Sequence, residues 1–106
     1  MKIPVDAIIP KEKLTQYLLV PRQKNDKSEF LAQAGFTLEN PDALEAAIRK
    51  LIIGNEADSD RHNEYGIFFR VEGELQGPHG ILFVVTVWIL RTSDQQYRFV
   101  TLKPMR

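Results

Sequence analysis

Cysteine is absent from this 106-residue chain. That removes disulfides, thiolate nucleophiles and Cys-based zinc sites together. A long apolar run is also missing. A membrane-spanning helix needs roughly 18 or more consecutive apolar residues. The most apolar stretch, 81–90, is shorter than that and too rich in β-branched and aromatic residues to favour a helix. No membrane association is expected. Met1-Lys2-Ile3-Pro4 is not followed by an apolar stretch with a small-residue cleavage site, so no secretory signal is expected and a cytoplasmic location is favoured. Net charge is lacking too: 14 Lys and Arg balance 14 Asp and Glu. A nonspecific nucleic-acid binder is usually basic. Phosphate loop, HExxH, nucleophile elbow and CxxC are all missing, and no cofactor or metal is expected.

What is present suits one modest domain. Hydrophobic residues make up 43% and charged residues 26%, ordinary for a globular chain that buries about two-thirds of its unfolded surface. The charge is unevenly spread. Residues 39–64 carry seven acids against three bases, while both flanking segments are mildly basic. Differently solvated surfaces are the simplest account.

The first half reads as helices at about 10–20, 27–34 and 41–53. Pro10 suits a first helical position, Leu14, Tyr17 and Leu18 form one stripe, and Pro21 stops it. Asp26 with Glu29 has capping-box spacing, and Gly35 sits where a left-handed cap belongs. Asn40 and Pro41 open the clearest helix, with Leu44, Ala47, Ile48, Leu51 and Ile52 on one face. "GNEADSDRHNE", residues 54–64, is polar and aperiodic and reads as a loop.

Beyond it the period becomes two. Strands are expected at about 65–76, 81–91 and 97–103, an antiparallel meander, with "KIPVDAII" as a short N-terminal edge strand. Helices followed by such a sheet make an α+β fold. A hairpin loop of two or four residues sets Phe69 opposite Trp88 and Val71 opposite Thr86. Phe68, Arg70 and Glu72 then share the other face with Ile89, Val87 and Val85. The strand at 81–90 is apolar on both faces, and each wet apolar side chain would cost about 1.5–3 kcal/mol. The N-terminal segment, the polar loop, a second copy or a ligand is needed over the second face, and intramolecular cover is favoured.

Several pieces in order, "IIPKEKLTQYLL", "KSEFLAQAGF", "YGIFFRVEGELQGPHG", "TVWIL" and "RFVTLKP", resemble an uncharacterised bacterial domain family. The family is met as stand-alone small proteins and as C-terminal tails of polymorphic toxins. Its layout is similar, at the level of fold only, to the ribonuclease-toxin superfamily that includes barnase, EndoU and RelE. Family members often have a glycine ahead of "KA" where this chain has Asn25-Asp26-Lys27-Ser28, which departs from the pattern in that loop.

Two functions follow. The first is a non-catalytic domain acting through protein contact, by self-association through the sheet or with a separate protein partner. The alternative is a metal-independent ribonuclease-like toxin domain or an inactive relative, and RNA is a partner only there. That chemistry needs a base, an acid and cations for phosphate. Its candidates are His62, His79, Arg70, Arg98 and Thr101. Each has a plainer reading: a solvated loop for His62, a turn for His79, cross-strand pairing with Glu72 or Glu74 for the arginines, a backbone hydrogen bond for Thr101. Lys13 and Lys27 lie in the resembling pieces. Trp88 is simplest as core, and Thr86 as a hydroxyl bonded to a backbone carbonyl.

Overall fold

The computed structural model describes residues 1–23 and 26–105. Helices α1 (Lys11–Lys13), α2 (Ser28–Ala32) and α3 (Pro41–Gly54) precede strands β1 (Ala57–Asn63), β2 (Gly66–Gly77), β3 (Gly80–Arg91) and β4 (Tyr97–Pro104). The strands form one antiparallel sheet in the order β1-β2-β3-β4. The α+β meander expected from the change of period is therefore the observed architecture.

The first helix differs in its pitch. After α1 the chain widens at Leu14–Leu18, where the Leu19 N–H donates to the Leu14 carbonyl five residues back. Leu14 and Leu18 are buried there. Capping at α2 also departs from the expected box. The Asp26 carboxylate accepts from the Ser28 N–H and hydroxyl, a turn closed on itself. Asn40 likewise turns back: its Oδ1 accepts from the Thr37 N–H and its Nδ2 donates to the Gly35 carbonyl. Gly35 does take the left-handed conformation, at φ +92°, and the Phe36 N–H closes on Leu31.

Residues 57–63, expected as loop, form β1. Only Ala57 of that strand is buried. An edge strand wet on both faces shows no alternation, so its ladder to β2 left no apolar signature. At the other edge, the N-terminal segment adds a single parallel bridge, Ile8 to Arg98, in place of a full strand. A proline at 4 and another at 10 leave little room for a longer ladder.

Register in the central hairpin is the one expected. Phe69 faces Trp88, Val71 faces Thr86, and the turn lies between Gly77 and Gly80. The inner face of β2, β3 and β4 carries Val71, Leu75, Val84, Trp88, Phe99 and Leu102, which form one core with the Leu44, Ile48, Leu51 and Ile52 side of α3. Trp88 and Phe99 meet edge to face, with ring centroids 5.3 Å apart.

Thr86 is the buried polar residue in this layer. Its hydroxyl donates to the Val71 carbonyl at 3.0 Å and accepts from the Trp88 indole N–H at 2.9 Å. Thr86→Val keeps the shape but strands the buried indole N–H. The expected loss is about 1–3 kcal/mol of unfolding free energy by urea titration. An unchanged midpoint would show that the indole finds another acceptor.

Candidate functional site

The outer face of the sheet follows from the strand register. β2 presents Phe68, Arg70, Glu72 and Glu74; β3 presents Ile81, Phe83, Val85, Val87 and Ile89; β4 presents Arg98, Thr101 and Lys103. Two ends of β3 differ on this face. Val85 and Ile89 are buried, though neither belongs to the helix-side core. Ile81 and Phe83 are 52% and 58% exposed.

Long side chains from flanking strands account for the covered end. Ile89 lies in register between Phe68 and Arg98, and Val87 between Arg70 and Thr101. The Nε atoms of Arg70 and Arg98 are both buried and have no hydrogen-bond partner among the described residues. Arg61 reaches over the Phe68 ring, 4.4 Å from its centroid. Cover is thus intramolecular over this half, as expected, and part of it comes from residues expected in the polar loop. The pairing of Arg70 runs along its own strand, to Glu72 at 3.2 Å.

A second feature sits where the outer face meets the N-terminal helix. An extra residue in β4, Val100, falls between the pairs Val87–Thr101 and Trp88–Phe99. Such a bulge re-aims neighbouring side chains. The Lys27 ammonium donates to the Thr101 hydroxyl at 3.2 Å and to the Tyr17 phenol oxygen at 3.3 Å. Arg22 and Lys27 both lie over the Tyr17 ring, at 5.0 and 5.3 Å. The Lys27 hydrogen bond holds the Tyr17 phenol below its ordinary range. Partial burial opposes this, while the charges of Lys27 and Arg22 and the Thr101 hydroxyl reinforce it. Beside the ring opens a cleft of about 470 Å³ lined by Pro10, Glu12, Lys13, Gln16, Tyr17 and Arg98.

Three of the five candidates, Arg70, Arg98 and Thr101, therefore share one face. The histidines do not join them. His62 pairs with Ile67 at one end of β2, whereas His79 lies past Gly77 at the other. The intervening strand rises about 3.3 Å per residue, roughly 30 Å in all. His62 is exposed beside Asp60 and Arg61 on β1. His79 seats the hairpin tip: its N–H donates to the Ala34 carbonyl at 2.9 Å, and its ring lies against Gly35. Among the described residues no group of three or more His, Asp or Glu is placed to hold a metal ion.

Sequence reasoning missed Tyr17 and Arg22 as members of the corner. Tyr17 fits the apolar stripe of the first helix, and its ring does pack on the core. Its oxygen, at the rim, is what gathers the cations, and the pattern holds no signal for that.

No helix among the described residues is long and apolar enough to cross a membrane. No curated protein matches the chain, and no solved structure does. One family model, a domain of unknown function (DUF6883), matches residues 4–106, nearly the whole length. The chain belongs to this family of domains of unknown function.

Proposed function

We propose that the domain acts through protein contact, as a homodimer closed by the open end of the outer sheet face. The observation that carries this reading is the exposure of Ile81 and Phe83, two large apolar side chains on one face of β3 at its hairpin end, beyond the last β4 pair at Val84. Such side chains are otherwise costly to leave wet.

The sheet edges offer less. β1 is charged, with Asp58, Asp60 and Arg61, and its register breaks between Ser59 and His62. Charge and bulges are devices that blunt an edge. β4 is partly capped by Ile8. The face remains, and its charges suit a second copy. Glu72 and Glu74 lie on the β2 side of the apolar strip, and Lys103 on the β4 side. Glu74 and Lys103 have no salt-bridge partner among the described residues. A two-fold axis parallel to β3 sets the β2 margin of one copy over the β4 margin of the other, acid over base. An axis across the strands would stack like charge on like. The first arrangement is the one proposed, with sheets about 10 Å apart.

Sedimentation at micromolar concentration is expected to give a dimer. Phe83→Asp sets a carboxylate in the contact and is expected to weaken association by about 30-fold or more while circular dichroism stays native. A native chain that sediments as a monomer, or a Phe83→Asp variant that still dimerises, would contradict the reading.

The ribonuclease-like toxin reading stands second, and no observation favours it. It asks for an acid and a base on either side of one phosphodiester, and the two histidines lie at opposite ends of β2.

A further inference from the structure

The corner at the β4 edge has a composition that the contact reading does not use. Lys13, Arg22, Lys27 and Arg98 converge there on Tyr17, Thr101 and the adjoining cleft. None of these cations forms a salt bridge among the described residues, although five ion pairs occur elsewhere. Nearby acids are Glu12, on the cleft wall, and Asp26, whose Oδ1 is engaged by Ser28. Four cations less two carboxylates leave an excess of two positive charges. The Nε of Arg98 is buried without a partner, and a buried N–H of that kind is costly unless something accepts from it.

Like charges in excess of their counter-charges repel one another, so a fold that assembles them is stabilised by an anion. The donors point to the kind of anion. An ammonium and a guanidinium with an excess of two positive charges match a dianion better than the single charge of a carboxylate. The Thr101 hydroxyl, which donates to the Leu102 carbonyl at 3.4 Å, accepts from Lys27 and holds it there. A phosphate monoester has three terminal oxygens and a charge near −2 at neutral pH.

We propose that Lys27, Thr101, Tyr17 and Arg98 form a binding site for a phosphate dianion, with Arg22 and Lys13 supplying further positive charge at its rim. The phosphate occupies the space between the Lys27 ammonium and the Arg98 guanidinium. If it is carried by an organic group, that group lies in the cleft along Pro10 and Gln16. The site is separate from Ile81 and Phe83, so its failure and the failure of the dimer are read independently.

The test titrates the full chain at constant ionic strength with inorganic phosphate and with phenyl phosphate, following ³¹P resonance and heat. Saturable binding with a Kd on the order of 1 mM or tighter is expected. Tighter binding of phenyl phosphate identifies a carried phosphate as the ligand; equal affinity identifies the free ion. Lys27→Ala and Arg98→Ala are each expected to weaken binding about tenfold or more, while Thr101→Ser, which keeps the hydroxyl, retains it. Native circular dichroism and an unchanged urea midpoint guard against loss of fold. A further readout is ultraviolet absorbance of the phenolate: bound phosphate adds negative charge beside Tyr17 and moves its ionisation to higher pH. Absence of saturable binding by either probe overturns the proposal. So does an equal loss of affinity in Lys103→Ala, outside the corner, because binding would then reflect general surface charge.

Discussion

Trp88→Ala is expected to remove about 3–5 kcal/mol of unfolding free energy, a large part of the roughly 5–15 kcal/mol available to a domain of this kind. Trp88 is the sole tryptophan and is 0% exposed. It stands on the inner face of β3 between Phe69 and Phe99 in register, with Phe99 packed edge to face against its ring. Truncation empties a space that strands on both sides hold open, so little collapse can refill it. The change also leaves the Thr86 hydroxyl without its indole donor, although Thr86 keeps its bond to Val71. Because the mutation removes the tryptophan fluorophore, far-ultraviolet circular dichroism under urea is the measurement. A loss below about 1 kcal/mol would mean that the ring is not in a close-packed interior.

Gly77→Ala is expected to cost about 2–4 kcal/mol. A Cβ at Gly77 would sit 2.3 Å from the Ala34 carbonyl oxygen and 2.8 Å from the Phe36 ring. Neither can yield cheaply. The Ala34 oxygen accepts from the His79 N–H, and Phe36 is buried in the core. The added methyl therefore lifts the β2–β3 turn off the α2–α3 connection and breaks that hydrogen bond. Thermal unfolding checks the size of the effect. Amide exchange checks its place, since the His79 amide is expected to lose its protection first. Gly54→Ala is the control, as nothing lies within 4 Å of a Cβ there.

The hairpin was legible because its signal is steric and local. Alternation along 66–77 and the short turn at 78–79 determine which side chains oppose one another, and Phe69–Trp88 and Val71–Thr86 follow. The α3 stripe was legible for the same reason at period 3.6. β1 was not. Its residues are held by a backbone ladder with water on both faces, and a ladder leaves no mark on side-chain identity. Asn40 stands at the expected cap position without a side-chain cap bond, while Asp26 falls one residue ahead of the α2 cap, Lys27. Both side chains turn to nearby backbone partners that compete with the helix N–H groups.

The candidate site was legible in part. Arg70 and Arg98 share a face by alternation, but Thr101, an odd number of residues from Arg98, joins them only because the β4 bulge at Val100 shifts the register. The histidines, grouped by chemistry alone, are separated by the length of a strand. The corner around Tyr17 depends on Lys27 and Thr101 meeting across 74 positions of sequence, and single-sequence periodicity holds no information about a contact of that range. Val85 and Ile89 are covered from within the chain, and Arg61 of β1, in the segment that reads as loop, lies over Phe68, the register neighbour of Ile89.

The proposed dimer requires the open half of the outer face to be a contact surface. A dilution series of amide and methyl NMR spectra addresses it directly. Resonances of Ile81, Phe83, Val85, Glu74 and Lys103 are expected to shift together as the chain is diluted through its dimer Kd, with α3 and the β1 edge unmoved. Shifts confined to β1, or spectra that do not change with concentration, would contradict it.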